Sequence, residues 1–375
     1  MVIQMKKILF FITSLDGGGA EKVLVNLVNH LDKVKYDITV QTMFDVGINK
    51  SFLSSDDIQY KYVFKKPFRG NTQFFKLFSP SFLYKKMIKG QYDIVVSFFQ
   101  SPITRIVAGC PDKDTKIVQW IHNEFHSKNK IAYCYRSIRE CIELQKKYNA
   151  TVYVSETVKD IYLSTFPEIK KNDYVLYNVI ESDKISKLSK ESIDEKNLYN
   201  AETTLISVGR LVPQKSFDRL LSIVKRLKDN GKDVHLLLLG TGYLEDKLKK
   251  QADELDINDN IVFLGYKENP YKYVKNADLF VCSSLHEGFS TAVTESLIVG
   301  TPVITTLCSG MKELLGNNEY GIITDNNEEA LFEGILSLLN DADRLKYFKD
   351  KAIERGTNFN SKETVSAIEK FFDNL

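Results

Sequence analysis

Residues 7–13 form an unbroken apolar run, which ends in a polar, glycine-rich break at 16–19. Beyond it Ala20, Val23, Leu24, Leu27, Val28 and Leu31 recur at helical spacing. A continuous apolar run suits a strand buried on both faces, and the i, i+3, i+4 recurrence marks one face of a helix. The alternation repeats along the chain. Strands are predicted at 38–44, 58–64, 93–98, 116–121, 151–154 and 174–179, with helices at 103–108, 129–148 and 157–166. A second series predicts strands at 204–208, 235–239, 261–265, 279–282, 302–305 and 321–324, and helices at 217–228, 244–255, 330–339 and 342–354. Repeated βα units imply an α/β fold with doubly wound parallel sheets, whose ligands sit at the C-terminal ends of strands.

Between the two series, residues 182–200 are polar and predict a linker. The chain of 375 residues then divides into domains at 1–181 and 201–357. Two such halves would face each other across a central cleft. A last amphipathic piece, within 358–375, is expected to pack back on the first half as a helix.

Residues 64–92 break the rhythm. They hold Lys65, Lys66, Arg69, Lys76, Lys85, Lys86 and Lys89 with no acidic residue, interleaved with Phe64, Phe68, Phe74, Phe75, Phe78, Phe82 and Tyr84. Cations mixed with exposed aromatics suit an anionic membrane surface, where each Lys or Arg contributes on the order of 1 kcal/mol. The same composition fits single-stranded nucleic acid, or a helix whose aromatics are core and whose basic face is solvated.

Charge sharpens the division. Residues 1–180 carry 26 Lys+Arg against 17 Asp+Glu, while the remainder is acidic, and the whole chain is only +2. A basic first half and an acidic second half suggest different partners. The five cysteines form no Cys-x-x-Cys pair and do not cluster with histidine, as expected of reduced thiols in a cytoplasmic protein and of neither a disulfide frame nor a zinc site. The stretch MKKILFFITSL superficially resembles a secretion signal. Thr13, Ser14 and Asp16 break its apolar run, so a first strand is expected. No stretch reaches the roughly 18 apolar residues of a membrane span.

Candidate chemistry gathers where strands are predicted to end. Leu285 to Pro302 reads LHEGFSTAVTESLIVGTP, with Glu287 in a loop and Glu295 on the following helix. Backbone N–H groups of Phe289, Ser290 and Thr291, next to Gly288, would point from the helix start at an anion, while Glu295 could accept hydrogen bonds from ribose hydroxyls. After the strand at 204–208 come Arg210 and Lys215, two fixed cations suited to a diphosphate and its departing charge. Gly242, Gly265 and Tyr266 end later strands and offer backbone surface to a nucleotide. In the first half, Gly17, Gly18 and Gly19 open a helix but lack the third glycine of the dinucleotide fingerprint, since Lys22 stands there. His122 ends the strand at 116–121. Each feature also has a plainer reading: solvated charged side chains, a close-packed glycine, a structural histidine.

The order GGGAE, WIHNE, GRLVPQK, FLGY, HEGFSTAVTE resembles the retaining GT-B glycosyltransferases of family 4, over nearly the whole chain. The resemblance implies two Rossmann-like domains, with the first binding the acceptor and the second a nucleotide-sugar donor. It assigns Gly18 and Gly19 to the donor phosphates and His122 to the C6 hydroxyl of the transferred sugar. Arg210 and Lys215 would hold the diphosphate. Glu287 would take the sugar's C3 or C4 hydroxyls, Phe289, Ser290 and Thr291 would support sugar and phosphate, and Glu295 would hold the ribose. It further implies a UDP-sugar substrate with no cofactor and no metal, and a polyprenyl-diphosphate-linked glycan acceptor. The protein would lie peripherally on the cytoplasmic membrane face, docked through 64–92, with no nucleic-acid partner. A non-catalytic partner subunit and a sugar-nucleotide epimerase of the same fold are the alternatives. Intact Arg210, Lys215, Glu287 and Glu295 argue against a dead site.

Overall fold

The first apolar run becomes the middle of a parallel sheet. The computed structural model describes residues 5–54, 56–169, 172–195 and 198–375. In the first of two units, β1 (Lys6–Ile12), β2 (Tyr36–Phe44), β3 (Ile58–Phe64), β4 (Ile94–Ser97), β5 (Lys116–Ile121), β6 (Ala150–Tyr153) and β7 (Asp173–Val175) pair in parallel, in the order β3-β2-β1-β4-β5-β6-β7. Parallel neighbours require crossovers, and these are the helices α1 (Gly19–His30), α2 (Asn71–Lys76), α3 (Pro80–Met87), α4 (Pro102–Val107), α5 (Lys128–Ala132), α6 (Ile138–Gln145) and α7 (Glu156–Thr165). Ile8 to Phe11 of β1 are fully buried, because helices close both faces of the sheet.

The single helix predicted over 129–148 is instead two short ones, α5 and α6. The chain turns between them so that Tyr135 can bury its ring, and Ser137 restarts the helix by accepting the Glu140 N–H at 3.1 Å.

The second unit, Ile180–Ser361, opens with α8 (Ser182–Leu188). The stretch 182–200 expected to be a linker therefore belongs to this unit: Ile185 of α8 is buried and clusters with Tyr271, although positions 196–197 lie outside the described residues. Two apolar residues, Ile185 and Leu188, are enough to seat a helix that composition reads as polar. The sheet comprises β8 (Thr203–Val208), β9 (Val234–Leu239), β10 (Ile261–Gly265), β11 (Leu279–Cys282), β12 (Val303–Thr306) and β13 (Ile322–Thr324), all parallel, in the order β10-β9-β8-β11-β12-β13. Around it lie α9 (Phe217–Asp229), α10 (Glu245–Glu254), α11 (Tyr271–Asn276), α12 (Thr291–Val299), α13 (Met311–Leu315), α14 (Glu328–Leu339) and α15 (Ala342–Gly356). α12 buries Val293 through Leu297 and stops at Gly300, whose left-handed φ of 82° is ready-made for glycine.

The last helix, α16 (Ser361–Asp373), belongs to the first unit from Lys362 on. Phe372 is fully buried, edge-on to Phe10 and Tyr36 with centroids at 5.9 and 6.2 Å. The Lys6 ammonium caps the helix, donating to the carbonyls of Phe372 and Asp373 at 2.8 and 3.0 Å.

Each sheet reverses its winding once, between β1 and β4 in the first unit and between β8 and β11 in the second. Loops leaving adjacent strands diverge at such a switch point and leave room for a ligand at the C-terminal edge. Among the described residues no helix is long and apolar enough to cross a membrane.

Candidate active site

The switch point of the second unit brings together residues 72 positions apart in sequence. The loop leaving β8 folds into a short 3₁₀ turn, Pro213–Lys215, and the loop leaving β11 runs past it. Three hydrogen bonds join them. The Leu285 N–H donates to the Gln214 carbonyl at 2.8 Å, the Gln214 side-chain amide to the His286 carbonyl at 2.7 Å, and the Ser283 hydroxyl to the Lys215 carbonyl at 2.8 Å. Ser216 closes the turn in the left-handed region, at φ 48°, a conformation that costs a non-glycine residue on the order of 1 kcal/mol.

Thus positioned, the Lys215 ammonium meets Glu287 Oε1 at 2.5 Å, with the side chains 20% and 10% exposed. The Ser284 hydroxyl donates to the same oxygen at 2.6 Å. Burial works to lower the Lys215 pKa, but the Glu287 carboxylate outweighs it and holds the ammonium above its ordinary value. Arg210 is exposed on the same loop, close enough for its charge to bear on Lys215. Beneath the pair lies Cys282, whose thiol is pushed up by burial and then by the Glu287 charge, so it stays protonated.

Glycines let these loops approach. A Cβ on Gly209 would press on the Lys215 stem at 3.1 Å, and one on Gly240 (φ 131°) would sit 2.0 Å from the Gly209 carbonyl. Gly242 packs likewise on the Leu211 carbonyl at 2.3 Å, so backbone packing alone demands glycine there. Gly265 turns at φ 65° with open space around it, followed by the half-exposed Tyr266.

α12 begins at Thr291. Ser290 is its N-cap, with the hydroxyl accepting the Val293 N–H at 3.4 Å, while Gly288 and Phe289 precede the helix and Thr291 is its first residue. The Gly288 carbonyl is approached by Gly310, where a Cβ would stand 2.7 Å away. Glu295 lies one turn on and is 7% exposed.

Sequence reasoning passed over Ser284, Gln214 and Asn326: Gln214 stands inside GRLVPQK but was given no role there, and the other two carry no motif signal. Asn326, just beyond β13, donates its amide to the carbonyls of Ser284, Leu285 and Leu307 at 3.3, 3.0 and 3.3 Å, and accepts from Arg219 at 2.9 Å. It ties the ends of three strands behind Glu287. Ser284, 1% exposed, is the clearest test of this scaffold. Ser284→Ala should destabilise the second unit by roughly 1.5–3 kcal/mol, because a buried carboxylate loses a charged hydrogen bond. Denaturant unfolding of both proteins measures this, and a change below about 0.5 kcal/mol would refute the bond's importance.

Gly18, Gly19 and His122 lie in the first unit, at or beside its own switch point. Gly18 is the N-cap of α1, and a Cβ there would stand 2.3 Å from the Glu21 carboxylate, which curls back over the helix start. His122 follows β5 in an aromatic nest, its ring centroid 4.7 Å from that of Phe98 and 6.4 Å from that of Trp120. The His122 N–H donates to Gln100 Oε1 at 3.2 Å, and the Gln100 amide donates to the Trp120 carbonyl at 2.7 Å, locking the loop ends of β4 and β5. Burial drives the imidazole pKa down to about 3, against a hydrogen bond to the Phe98 backbone. Among the described residues the buried Nε2 has no hydrogen-bond partner, and the bond to the Phe98 backbone falls to Nδ1, so Nδ1 carries the proton and Nε2 is an acceptor. No group of three His, Cys, Asp or Glu among the described residues is arranged to hold a metal ion.

Known proteins resemble the chain over most of its length. Residues 17–184 match the family model for Glycosyltransferase Family 4, and residues 189–355 the model for Glycosyl transferases group 1. The chain is 29% identical to the N-acetylgalactosamine-N,N'-diacetylbacillosaminyl-diphospho-undecaprenol 4-alpha-N-acetylgalactosaminyltransferase of Campylobacter jejuni, over 95% of this chain and 96% of that protein. It is 27% identical to the same organism's GalNAc-alpha-(1->4)-GalNAc-alpha-(1->3)-diNAcBac-PP-undecaprenol alpha-1,4-N-acetyl-D-galactosaminyltransferase, over 95% of each. The crystal structure of Anabaena Alr3699/HepE in complex with UDP-glucose has the same fold, with a TM-score of 0.78 at 18% identity, over 98% of this chain and 100% of that one. With family models matching both halves and two parallel, doubly wound sheets of the GT-B kind, the chain belongs to the family 4 glycosyltransferases.

Proposed function

We propose that the protein moves a sugar from a nucleotide-sugar, a UDP-sugar, to a glycan acceptor carried on a polyprenyl diphosphate, with retention of anomeric configuration and without a metal. The observation that carries this reading is the Lys215–Glu287 pair with Arg210 beside it at the switch point of the second unit. A cation held against a carboxylate offers a diphosphate on one side and sugar hydroxyls on the other. Lys215 and Arg210 neutralise the diphosphate as the bond from C1 to its oxygen breaks. Glu287 holds the sugar's C3 or C4 hydroxyls, and Glu295 the ribose. Gly288, Phe289, Ser290 and Thr291 offer backbone to sugar and phosphate, with Gly242, Gly265 and Tyr266 beside the nucleotide. The acceptor hydroxyl attacks C1 on the face that the diphosphate leaves, and its proton passes to the departing phosphate oxygen. No protein nucleophile is needed, and the protonated Cys282 provides none.

His122 offers an unprotonated nitrogen that suits a sugar hydroxyl, and we assign it to the C6 hydroxyl, with Gly18 and Gly19 near the phosphates. The Campylobacter jejuni relatives are named for transfer to diphospho-undecaprenol-linked acceptors, and the Anabaena neighbour holds UDP-glucose; both support the substrate classes. An acceptor of that kind resides in a membrane. We assign docking on the anionic cytoplasmic face to residues 64–92, whose Lys65, Lys66, Arg69, Lys85, Lys86 and Lys89 are exposed. The test is to measure hydrolysis and transfer with purified protein across a panel of UDP- and GDP-sugars. Turnover of one UDP-sugar is expected, and failure to bind any nucleoside diphosphate would overturn the reading.

A further inference from the structure

The corner between α2 and α3 exposes apolar side chains while its backbone carbonyls are hydrogen-bonded within the protein. Leu77 is 73% exposed, Phe74 44% and Phe82 45%. Phe78 links them, stacked on Phe82 at 5.5 Å and edge-on to Phe74 at 5.3 Å. On the other side of the same corner Phe75 and Leu83 are buried, so the outward aromatics are not spilled core.

Six consecutive carbonyls run through this corner, and each has a donor. Phe74 accepts from the Leu77 N–H at 3.1 Å and Ser79 from the Leu83 N–H at 3.1 Å. The four between them are held by two guanidinium groups. Arg105 donates to the carbonyls of Phe75 and Phe78 at 3.1 and 3.0 Å, and Arg136 to those of Lys76 and Leu77 at 2.6 and 3.1 Å. Arg105 is itself 1% exposed and neutralised by Glu140 at 2.9 Å, which also accepts the Arg136 N–H at 2.6 Å.

A corner facing water needs no such provision, because water bonds free carbonyls at little cost. Entry into hydrocarbon is different: each unsatisfied backbone group there is heavily penalised. Two arginines and a part-buried counter-charge give this corner a backbone that can lose its water.

We propose that the Phe74–Leu77–Phe82 corner is a wedge that enters the acyl boundary of an anionic bilayer, with Arg105 and Arg136 holding its backbone satisfied. The proposal rests on the docking reading above and adds insertion to it. A lipid surface is the occupant because the flanks of the wedge carry Lys65, Lys66, Arg69, Lys85, Lys86 and Lys89, and 64–92 holds no acidic residue. Cations at the headgroups and apolar side chains just beneath them are the two halves of interfacial binding.

The halves separate experimentally, because screening removes only the first. The full chain is mixed with vesicles of phosphatidylcholine and phosphatidylglycerol at low and high salt. Lys65, Lys66, Lys85 and Lys86 replaced together by Ser should weaken binding by about 10²-fold or more at low salt and far less at high salt. Leu77→Ser should weaken the binding that survives high salt by about tenfold. Arg136→Lys keeps the charge but cannot bond both carbonyls, and should lose part of the same salt-resistant binding. Leu77→Trp adds an exposed reporter to a chain whose one native tryptophan, Trp120, is buried. Its emission should shift blue on vesicles and be quenched by brominated acyl chains.

No vesicle binding by the wild type would overturn the docking reading itself. Wild-type binding with an unshifted Leu77→Trp and unaffected Leu77→Ser would overturn insertion and leave electrostatic docking standing. A wild-type dimer in sedimentation that Leu77→Ser makes monomeric would give the corner to a second copy and refute the lipid assignment. Arg136→Lys binding like wild type would refute the role given to the carbonyls.

Discussion

Lys215→Ala is expected to lose sugar transfer by about 10²-fold or more, chiefly in kcat, as removal of a preorganised group at a developing charge generally does. Glu287 more than offsets the effect of burial on the Lys215 ammonium, so Lys215 is charged throughout the working pH range. It needs no metal to be cationic and, held by Glu287 at 2.5 Å, little reorganisation to meet a diphosphate. Arg210 is exposed, and alone it cannot replace a cation fixed in a part-buried place. The substitution also strands Glu287, whose side chain is only 10% exposed, and that could mimic a catalytic effect through instability. The double variant Lys215→Ala with Glu287→Gln removes the stranded charge and should recover stability without recovering transfer. Lys215→Arg should retain part of the rate. Wild-type turnover in Lys215→Ala, measured with the best donor of the panel, would refute the assignment.

The strands were legible because a parallel strand covered on both faces has no polar face to confuse the pattern. Apolar runs such as 7–13 and 235–239 can hardly be anything else, and they became β1 and β9. Lys215 and Glu287 were each legible as an unusual residue after a strand, but their contact was not. It is made by the strand order, which sets β8 beside β11, and no local pattern encodes a partner 72 residues away.

The segment 129–148 was read as one helix, yet the chain turns between α5 and α6, where Tyr135 buries its ring. Glycines were ambiguous. Gly242 was expected to receive a nucleotide, and the Leu211 carbonyl already requires it to lack a side chain. A sequence shows that something comes close, not whether it is ligand or backbone. In 64–92 the helices span six and eight residues, too short for a face to be read, and the same phenylalanines serve both sides: Phe75 inward, Phe74 and Phe82 outward. The arginines that fix this division, Arg105 and Arg136, lie outside the segment.

His122 should make the first unit acid-sensitive. Its folded pKa of about 3 lies below the ordinary value of 6.5, with burial as the cause. Between those values the unfolded chain binds a proton that the native chain refuses. Stability on this account is therefore complete above about pH 6.5 and falls as the pH drops toward 3, by up to about 1.4 kcal/mol per unit. From pH 7 to pH 5 the loss should be about 2 kcal/mol. His122→Asn removes the titration while keeping a donor near the Phe98 backbone, so its stability should fall less over the same range by that amount. Trp120 is the chain's one tryptophan, buried on β5 two residues away, and its fluorescence follows unfolding of this unit in denaturant. All other titrations are common to the two proteins, so the difference between their stability curves isolates His122. Parallel curves between pH 7 and 5 would mean that the imidazole gains its proton in the native state. An imidazolium donates from both nitrogens, and His122 would then have no open Nε2 to accept a sugar hydroxyl.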